Sequence, residues 1–465
     1  MVVIHMMDNL KKIRHLYARA GFGLRFEDLK RIAGLPVKQV VDTLFRSSAE
    51  NQPLDIIAGN ISYKDFLDKD ALTRKMFLQE QRQQEKGLNV YWVNQMSTTD
   101  AQLREKMTLF WHNHFACRTQ NAWFAQQLNN IQREHALGNF RTLLIEVSKA
   151  PAMLQFLNNQ QNQKNHPNEN FARELMELFT IGRGNYTEQD VKESARAFTG
   201  WSFKKDGTFV ARPNLHDDGQ KTFLGKTGNF NGEDIITILL AKKETARFIC
   251  NKLYKYLVNE TPDNLQVNAM ADVLYQANYE IAPLLKYVFN AEWFYADKNI
   301  GNMIKAPVEF IVGLNRQFYV TYKNPDVMMQ FQRTLGQVLF YPPNVAGWPG
   351  GKNWIDSSSL MYRIKIPSTV LNDGVIDFSG KADPEDEAFL ATTLSRRKEV
   401  NTQVQTQPDW DKFLAGIPAH TSKAAVAQMV LSPALNSSLT AIVKRSASVK
   451  AMVIELVSTP EYQLC

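Results

Sequence analysis

The chain has 465 residues, 44% hydrophobic and 22% charged, which is the balance of a folded globular protein and excludes disorder. Its formal charge of +7 is modest for this length, and the basic residues are interleaved with acids, so nucleic-acid binding is not expected. Cys117, Cys250 and Cys465 are too few and too widely spaced for a disulfide framework or a paired-cysteine zinc motif. No apolar run approaches the roughly 20 residues that span a bilayer. The start, MVVIHMMDNLKK, has no basic segment followed by a long apolar one, so the chain as written is expected in the cytoplasm.

From residue 8 to 138 the apolar spacing predicts helix almost throughout. Leu10, Ile13, Leu16 and Tyr17 form a stripe that stops at Gly21 and Gly23, and short helices follow over 29–32 and 37–45. A longer polar helix is expected over 71–86, then a helical pair over 91–115 whose second member, AQLREKMTLFWHNHF, starts after Thr98, Thr99 and Asp100. Near its end His112 and His114 stand two residues apart, roughly 200° around a continuous helix. They are therefore not expected to share a metal: one should be buried and the other turned towards a groove. Each alone suits a satisfied buried imidazole as well as a catalytic one. His135 after Glu134 does not complete an HExxH motif.

Helices are predicted over 123–135, 140–149 and 151–157, followed by the polar loop NNQQNQKNHPN, read as solvated or as a lid. The most densely specified stretch comes next, NHPNENFARELMELFTIGRGNYTEQDVKESARAFTGW, residues 165–201. Asn168 can cap a helix that runs to Gly182, with Glu169 favourably placed at its positive end. Steps of about 100° put Glu169, Arg173, Glu174 and Glu177 on one face. Arg173 lies four residues from both Glu169 and Glu177, so it is expected to bridge them and leave Glu174 without a partner. The face reads either as ordinary solvated surface or as a cleft wall where a carboxylate of raised pKa acts as acid, base or ligand. A second helix opens at Thr187 and Asp190 with a capping-box pattern and ends near Gly200.

After Trp201 the pattern predicts a hairpin turning at 205–207 and a short strand over 222–224. GQKTFLGKT tempts towards a phosphate loop but fails on the spacing of its glycines. His216, Asp217 and Asp218 on this insertion are placed to face the central helix. Helix returns over 233–241, 244–258, 265–277, 282–293 and 306–319. GQVLFYPPNVAGWPGGKNW, residues 336–354, is too rich in proline and glycine for helix. Its Trp348 and Trp354 either stack on a sugar ring or plug the loop onto the core. A polar linker over 394–408 precedes a last helical region.

The stretches HLYARAGFG, KMTLFWHNHFA, NENFARELMELFTIGRGNYTEQDVKESARAFTGW, HDDGQKTFLGKTGNFNG, IKAPVEFIVG, FYPPNVAGWPGGKNW and STPEYQL together resemble the bacterial domain of unknown function (DUF) 1800 family over nearly the whole chain. The resemblance brings no established activity and names no cofactor or metal. It implies frequent export and a sulfatase-like protein as neighbour and partner, although no signal is visible here. His112, His114, Asn168, Glu169, Arg173, Glu174, Glu177, Trp201, His216 and Lys221 all fall inside its motifs, which strengthens the cleft reading.

The expected architecture is mainly α, a multi-helix bundle with a β-hairpin insertion near 201–230. Bodies over 1–200 and 231–393 and C-terminal helices over 409–465 are expected to share a core. Two functions follow. One is a hydrolase-type enzyme with Glu169, Glu174 and His112 or His114 as acid and base, Arg173 and Glu177 beside them, and Trp201, His216, Lys221, Trp348 and Trp354 towards a glycan-like substrate. The alternative is a non-catalytic module that docks a partner through the acidic face.

Overall fold

The computed structural model describes residues 2–59, 70–377 and 401–465. It is mainly helical. The first helices are α1 (Val2–Ala20), α2 (Phe26–Ile32) and α3 (Val37–Ser47), then α4 (Ala71–Thr98) and α5 (Gln102–His114). The polar helix and the first member of the expected pair are thus one continuous 28-residue element, α4, in which Gly87 causes no break. A lone interior glycine weakens a helix by only about 1 kcal/mol, which the packing of Leu88, Trp92, Val93 and Met96 outweighs. Next come α6 (Ala122–Glu134), α7 (Phe140–Lys149), α8 (Pro151–Phe156), α9 (Asn170–Glu174) and α10 (Glu188–Ala197).

The insertion after α10 holds two hairpins. Strand β1 (Trp201–Phe203) pairs antiparallel with β2 (Phe209–Ala211), and β3 (Lys221–Phe223) with β4 (Lys226–Gly228). Leu224 and Gly225 join β3 to β4 with φ of 48° and 81°, the two left-handed residues of a tight hairpin turn. The lysine and threonine of GKT therefore sit in a strand and cradle no phosphate.

Five helices follow, α11 (Gly232–Leu240), α12 (Lys243–Leu257), α13 (Asn264–Gln276), α14 (Ile281–Asn290) and α15 (Pro307–Phe318), close to the expected bounds. Strand β5 (Thr321–Tyr322), α16 (Asp326–Leu335), α17 (Ser357–Leu371) and β6 (Val375–Asp377) come next. Of the polar linker over 394–408, residues 394–400 lie outside the described residues. Its later part forms β7 (Asn401–Gln403) and β8 (Thr406–Gln407), antiparallel to β6 and β5. Helices α18 (Trp410–Gly416), α19 (Lys423–Val430), α20 (Ser437–Arg445) and α21 (Val449–Val457) complete the fold. Among the described residues no helix is long and apolar enough to cross a membrane.

Two hydrophobic clusters form the interior. One gathers α1, α3, α7 and α10–α14; the other gathers α4, α15–α17 and α19–α21. Helix α5 lies between them, with Leu103, Met107, Phe110 and Trp111 in the first and Leu109 in the second. All its residues but Asn113 are buried, including the charged run Arg104-Glu105-Lys106.

Each of those charges is matched. Arg104 donates to Ser48 O (3.0 Å), Ala49 O (3.1 Å), Arg133 O (2.8 Å) and Glu134 O (3.0 Å), so it caps the exposed carbonyls at the ends of α3 and α6. Glu105 accepts from Arg133 Nε (2.8 Å), Trp92 Nε1 (2.7 Å) and Gln95 Nε2 (2.9 Å). Lys106 pairs with Glu309 of α15. Removing one partner of a buried pair strands the other charge, at a cost of about 3–5 kcal/mol. Glu105→Gln is therefore expected to lower unfolding free energy by about that amount in urea titrations at pH 7.

Candidate functional site

The acidic helix is shorter than its pattern suggests. Asn168 Oδ1 accepts from Asn170 N (3.0 Å), and α9 begins there. After Glu174 the chain relaxes into a π-helical turn over Leu175–Phe179. Such a turn leaves carbonyls displaced from the regular ladder, and here side chains collect them. Thr180 Oγ1 donates to Leu175 O (2.6 Å), Lys252 Nζ to Leu178 O (2.9 Å), and His114 Nε2 lies 3.2 Å from Phe179 O. The segment then ends at Gly182, whose φ is +76°.

The turn changes the ion pairing. Arg173 keeps Glu169 (3.1 Å), but its other partner is Glu188 at the start of α10, reached by two 2.8 Å bonds. Glu177, moved off the four-residue register, is held instead by Arg183 and by the Tyr186 hydroxyl (3.1 Å) from the following loop. The expected Glu169–Arg173–Glu177 bridge is thus replaced by two separate clamps. Glu174 is half-buried between them and makes no hydrogen bond or ion pair among the described residues. Burial, and then the nearby Glu177 charge, raise its pKa above the ordinary carboxylate value.

The histidines do not join these carboxylates. Both are buried, where one had been expected to face a groove. His112 Nε2 accepts from Phe340 N (3.1 Å), and its ring packs on Trp92, Phe340 and Trp348. Burial lowers its pKa to about 3, so it stays neutral. His114 points the other way, with Nε2 donating to Phe179 O and Nδ1 accepting from Lys252 Nζ at 3.2 Å. Burial and Lys252 push its pKa well down. The two histidines tie the Trp loop and the π-turn to the end of α5. Among the described residues no group of three or more His, Cys, Asp or Glu is arranged to hold a metal.

The remaining candidates are packed into structure. Trp201 is buried against Phe198 and Phe209. His216 Nδ1 lies 2.9 Å from Thr199 O. Lys221 is 1% exposed and donates to Asp217 O (2.5 Å) and Gly219 O (3.0 Å), stitching its own loop. That loop is latched to α10 by Arg196, which binds Asp217 (2.7 Å) and Glu193 (2.9 Å). Trp348 and Trp354 are both buried; Trp348 N donates to Asn113 Oδ1 (2.7 Å), and a Cβ on the neighbouring Gly347 would meet that oxygen at 2.2 Å. The loop over 158–168 is likewise built in, with Asn162 Nδ2 donating to Ala195 O (2.8 Å).

Two chemically notable groups escaped the sequence patterns. Burial pushes Glu85 of α4 up to about 7 while it accepts from the Tyr341 hydroxyl; its signal was the recurrence of Gln81, Glu85 and Asn89 every four residues, which marks a polar seam facing inward. The other, Lys252, is half-buried over the Phe248 ring (4.9 Å) and is lowered by desolvation to about 8. Nothing local in KLYKYL announces it.

A family model described as "Protein of unknown function (DUF1800)" matches residues 15–464. No curated protein and no solved structure matches the chain.

The Lys252 shift has a testable consequence. Its folded pKa lies below the unfolded value of about 10.4, so between about 8 and 10.4 the unfolded chain binds more protons and stability gains with pH. Urea titrations of wild type and Lys252→Met at pH 7 and pH 10 should show the difference moving in favour of wild type at the higher pH.

Proposed function

This chain belongs to the DUF1800 family, and from the geometry of its acidic helix we propose that it is a hydrolase-type enzyme in which Glu174 and Glu177 divide general acid–base work. The observation that carries the reading is the asymmetry of the two carboxyls. Glu177 is engaged by Arg183 and the Tyr186 hydroxyl, whereas Glu174 is half-buried, unpartnered among the described residues and biased towards its protonated form. A carboxyl of raised pKa beside a second carboxyl in a different environment is an arrangement that lets the first donate a proton while the other activates water. Arg173, clamped between Glu169 and Glu188, fixes the helix that presents them. His112 and His114 play no part in this chemistry, since both are buried and committed to backbone groups. No sugar is assigned to the site, because the indoles of Trp348 and Trp354 are packed into the core.

One feature of the same face favours the docking alternative, in which the partner is a protein such as the sulfatase-like neighbour. The side chains around Glu174 are open to solvent, Arg183 at 83% and Glu188 at 70%. The two readings separate on one variant. Glu174→Gln is expected to lower kcat/KM at least about 100-fold on whichever p-nitrophenyl ester, glycoside or phosphate wild type hydrolyses. Its Tm at pH 7 should equal or exceed that of wild type. A raised folded pKa means the ionised form is disfavoured in the native state, so any advantage of the variant should vanish below about pH 4. Full activity in the variant, or a melt well below wild type at pH 7, overturns the enzyme reading; a wild type inert on the whole panel moves the assignment to docking.

A further inference from the structure

Away from the acidic helix, stretches widely separated in sequence meet around one cavity of about 70 Å³. HLYARAGFG brings Ala18, Gly21, Phe22 and Gly23; α5 brings Lys106; IKAPVEFIVG brings Lys305, Glu309 and Gly313; and the last residues bring Tyr462 and Cys465. Arg14, one residue before HLYARAGFG, also lines it. The chain end is fixed there by a short antiparallel contact, with Lys305 N donating to Gln463 O (2.8 Å) and Cys465 N to Met303 O (2.8 Å).

The cations of this wall are unevenly paired, although Cys465 and Glu309 both favour the charged form of Lys305. Among the described residues Glu309 is the only acidic side chain lining the cavity, and it is already engaged. One oxygen takes Lys106, and the other accepts from Ala306 N (3.1 Å) at the start of α15. Arg14 and Lys305 have no carboxylate partner among the described residues. Their side chains donate only to main-chain carbonyls, Arg14 to Leu431 O and Lys305 to Tyr462 O (2.7 Å). The Lys305 ammonium also lies 3.9 Å from the Tyr462 ring centroid.

The surroundings deepen the imbalance. Arg363, fully buried, donates to Lys305 O (3.0 Å) and has its Nε and Nη2 unpartnered. Arg19, 1% exposed, finds Asn299 O and Asn302 Oδ1 (both 2.8 Å) but leaves Nε unpartnered. Burial holds Lys305 down to about 8 and Arg14 to about 10. Like charges concentrated in a desolvated wall are unfavourable unless an anion joins them. The rim is reachable, since Ala18, Leu24, Met429 and Ser432 are only half-buried. A cavity holds one water at roughly 10–15 Å³ by the same measure, so about 70 Å³ leaves room for a small tetrahedral ion.

We propose that this cavity binds a small divalent oxyanion of the phosphate or sulfate type between Arg14 and Lys305. Neither cation has an ion-paired carboxylate among the described residues, guanidinium and ammonium groups both donate charge-assisted hydrogen bonds to such oxygens, and partial burial strengthens those bonds. The site is independent of the carboxylates on the acidic helix and survives if that reading fails.

Isothermal titration of the full chain with inorganic phosphate, sulfate and acetate, at ionic strength matched with chloride, tests it. Phosphate or sulfate should bind one per chain, with acetate at least tenfold weaker; comparing the two dianions tells which is taken. Lys305→Gln and Arg14→Gln should each weaken the dianion at least tenfold. Both should fold, judged by circular dichroism, because each replaces a half-buried cation that has no ion-paired carboxylate among the described residues with a neutral side chain that can still donate. Arg14→Lys should stay within a few fold of wild type, and Lys11→Gln, on the surface of α1, should be unchanged. No dianion binding by wild type, or binding that neither glutamine variant weakens, overturns the proposal.

Discussion

Everything in this structure depends on burying α5 on all sides. A helix that separates two cores cannot present a solvated face, yet this one carries Arg104, Glu105 and Lys106 in succession. Three adjacent residues point in three directions, so three different neighbours must neutralise them. Carbonyls at the ends of α3 and α6 serve the first, Arg133 and Trp92 the second, and Glu309 of α15 the third. The requirement that none be left unpaired fixes where those elements sit. The same helix then ends in His112 and His114, whose opposite directions secure the Trp loop on one side and the π-turn on the other.

That arrangement explains what was legible in the sequence. Helices α6 to α8 and α11 to α15 each bury one stripe, so apolar spacing located them within a few residues. For α5 the same method identified a helix but not its depth, because a run such as LREK looks like surface unless its partners are known. The continuity of α4 across 87–90 was hidden for a related reason, because the tertiary packing that sustains it comes from distant elements such as α15 and α16. The first hairpin was legible from the local turn preference of Asp206-Gly207, whereas of the second only the strand over 222–224 was, since Leu224 in the left-handed region is no turn signal.

The candidate site was legible in part. The pattern singled out Glu174 as the acid without a partner, and the structure leaves it so, but through a different set of bonds. Periodicity assumes 3.6 residues per turn, and the π-turn breaks that assumption just where Glu177 falls. The turn is sustained by Lys252 and His114, which lie 74 and 65 residues from the carbonyls they meet, so no local pattern could announce it. The tryptophans and Lys221 show the converse, since residue types common in binding sites can equally be the plugs and stitches that shape loops.

Pairing elsewhere gives the exceptions their meaning. A chain that matches Glu105 with Arg133, Asp217 with Arg196 and Glu188 with Arg173 has ample means to neutralise charge. Among the described residues, two of the departures are of opposite sign. On the acidic helix the unmatched group is a carboxyl able to discharge itself by taking a proton, which is the property a general acid needs. Around the cavity at the chain end the unmatched groups include Arg14, Arg19 and Arg363, and an arginine does not shed its proton under physiological conditions. A carboxyl can resolve its own imbalance, whereas a guanidinium must wait for an anion to arrive from outside. The two places therefore differ in kind, and the proposed proton transfer rests on the first and the proposed oxyanion site on the second.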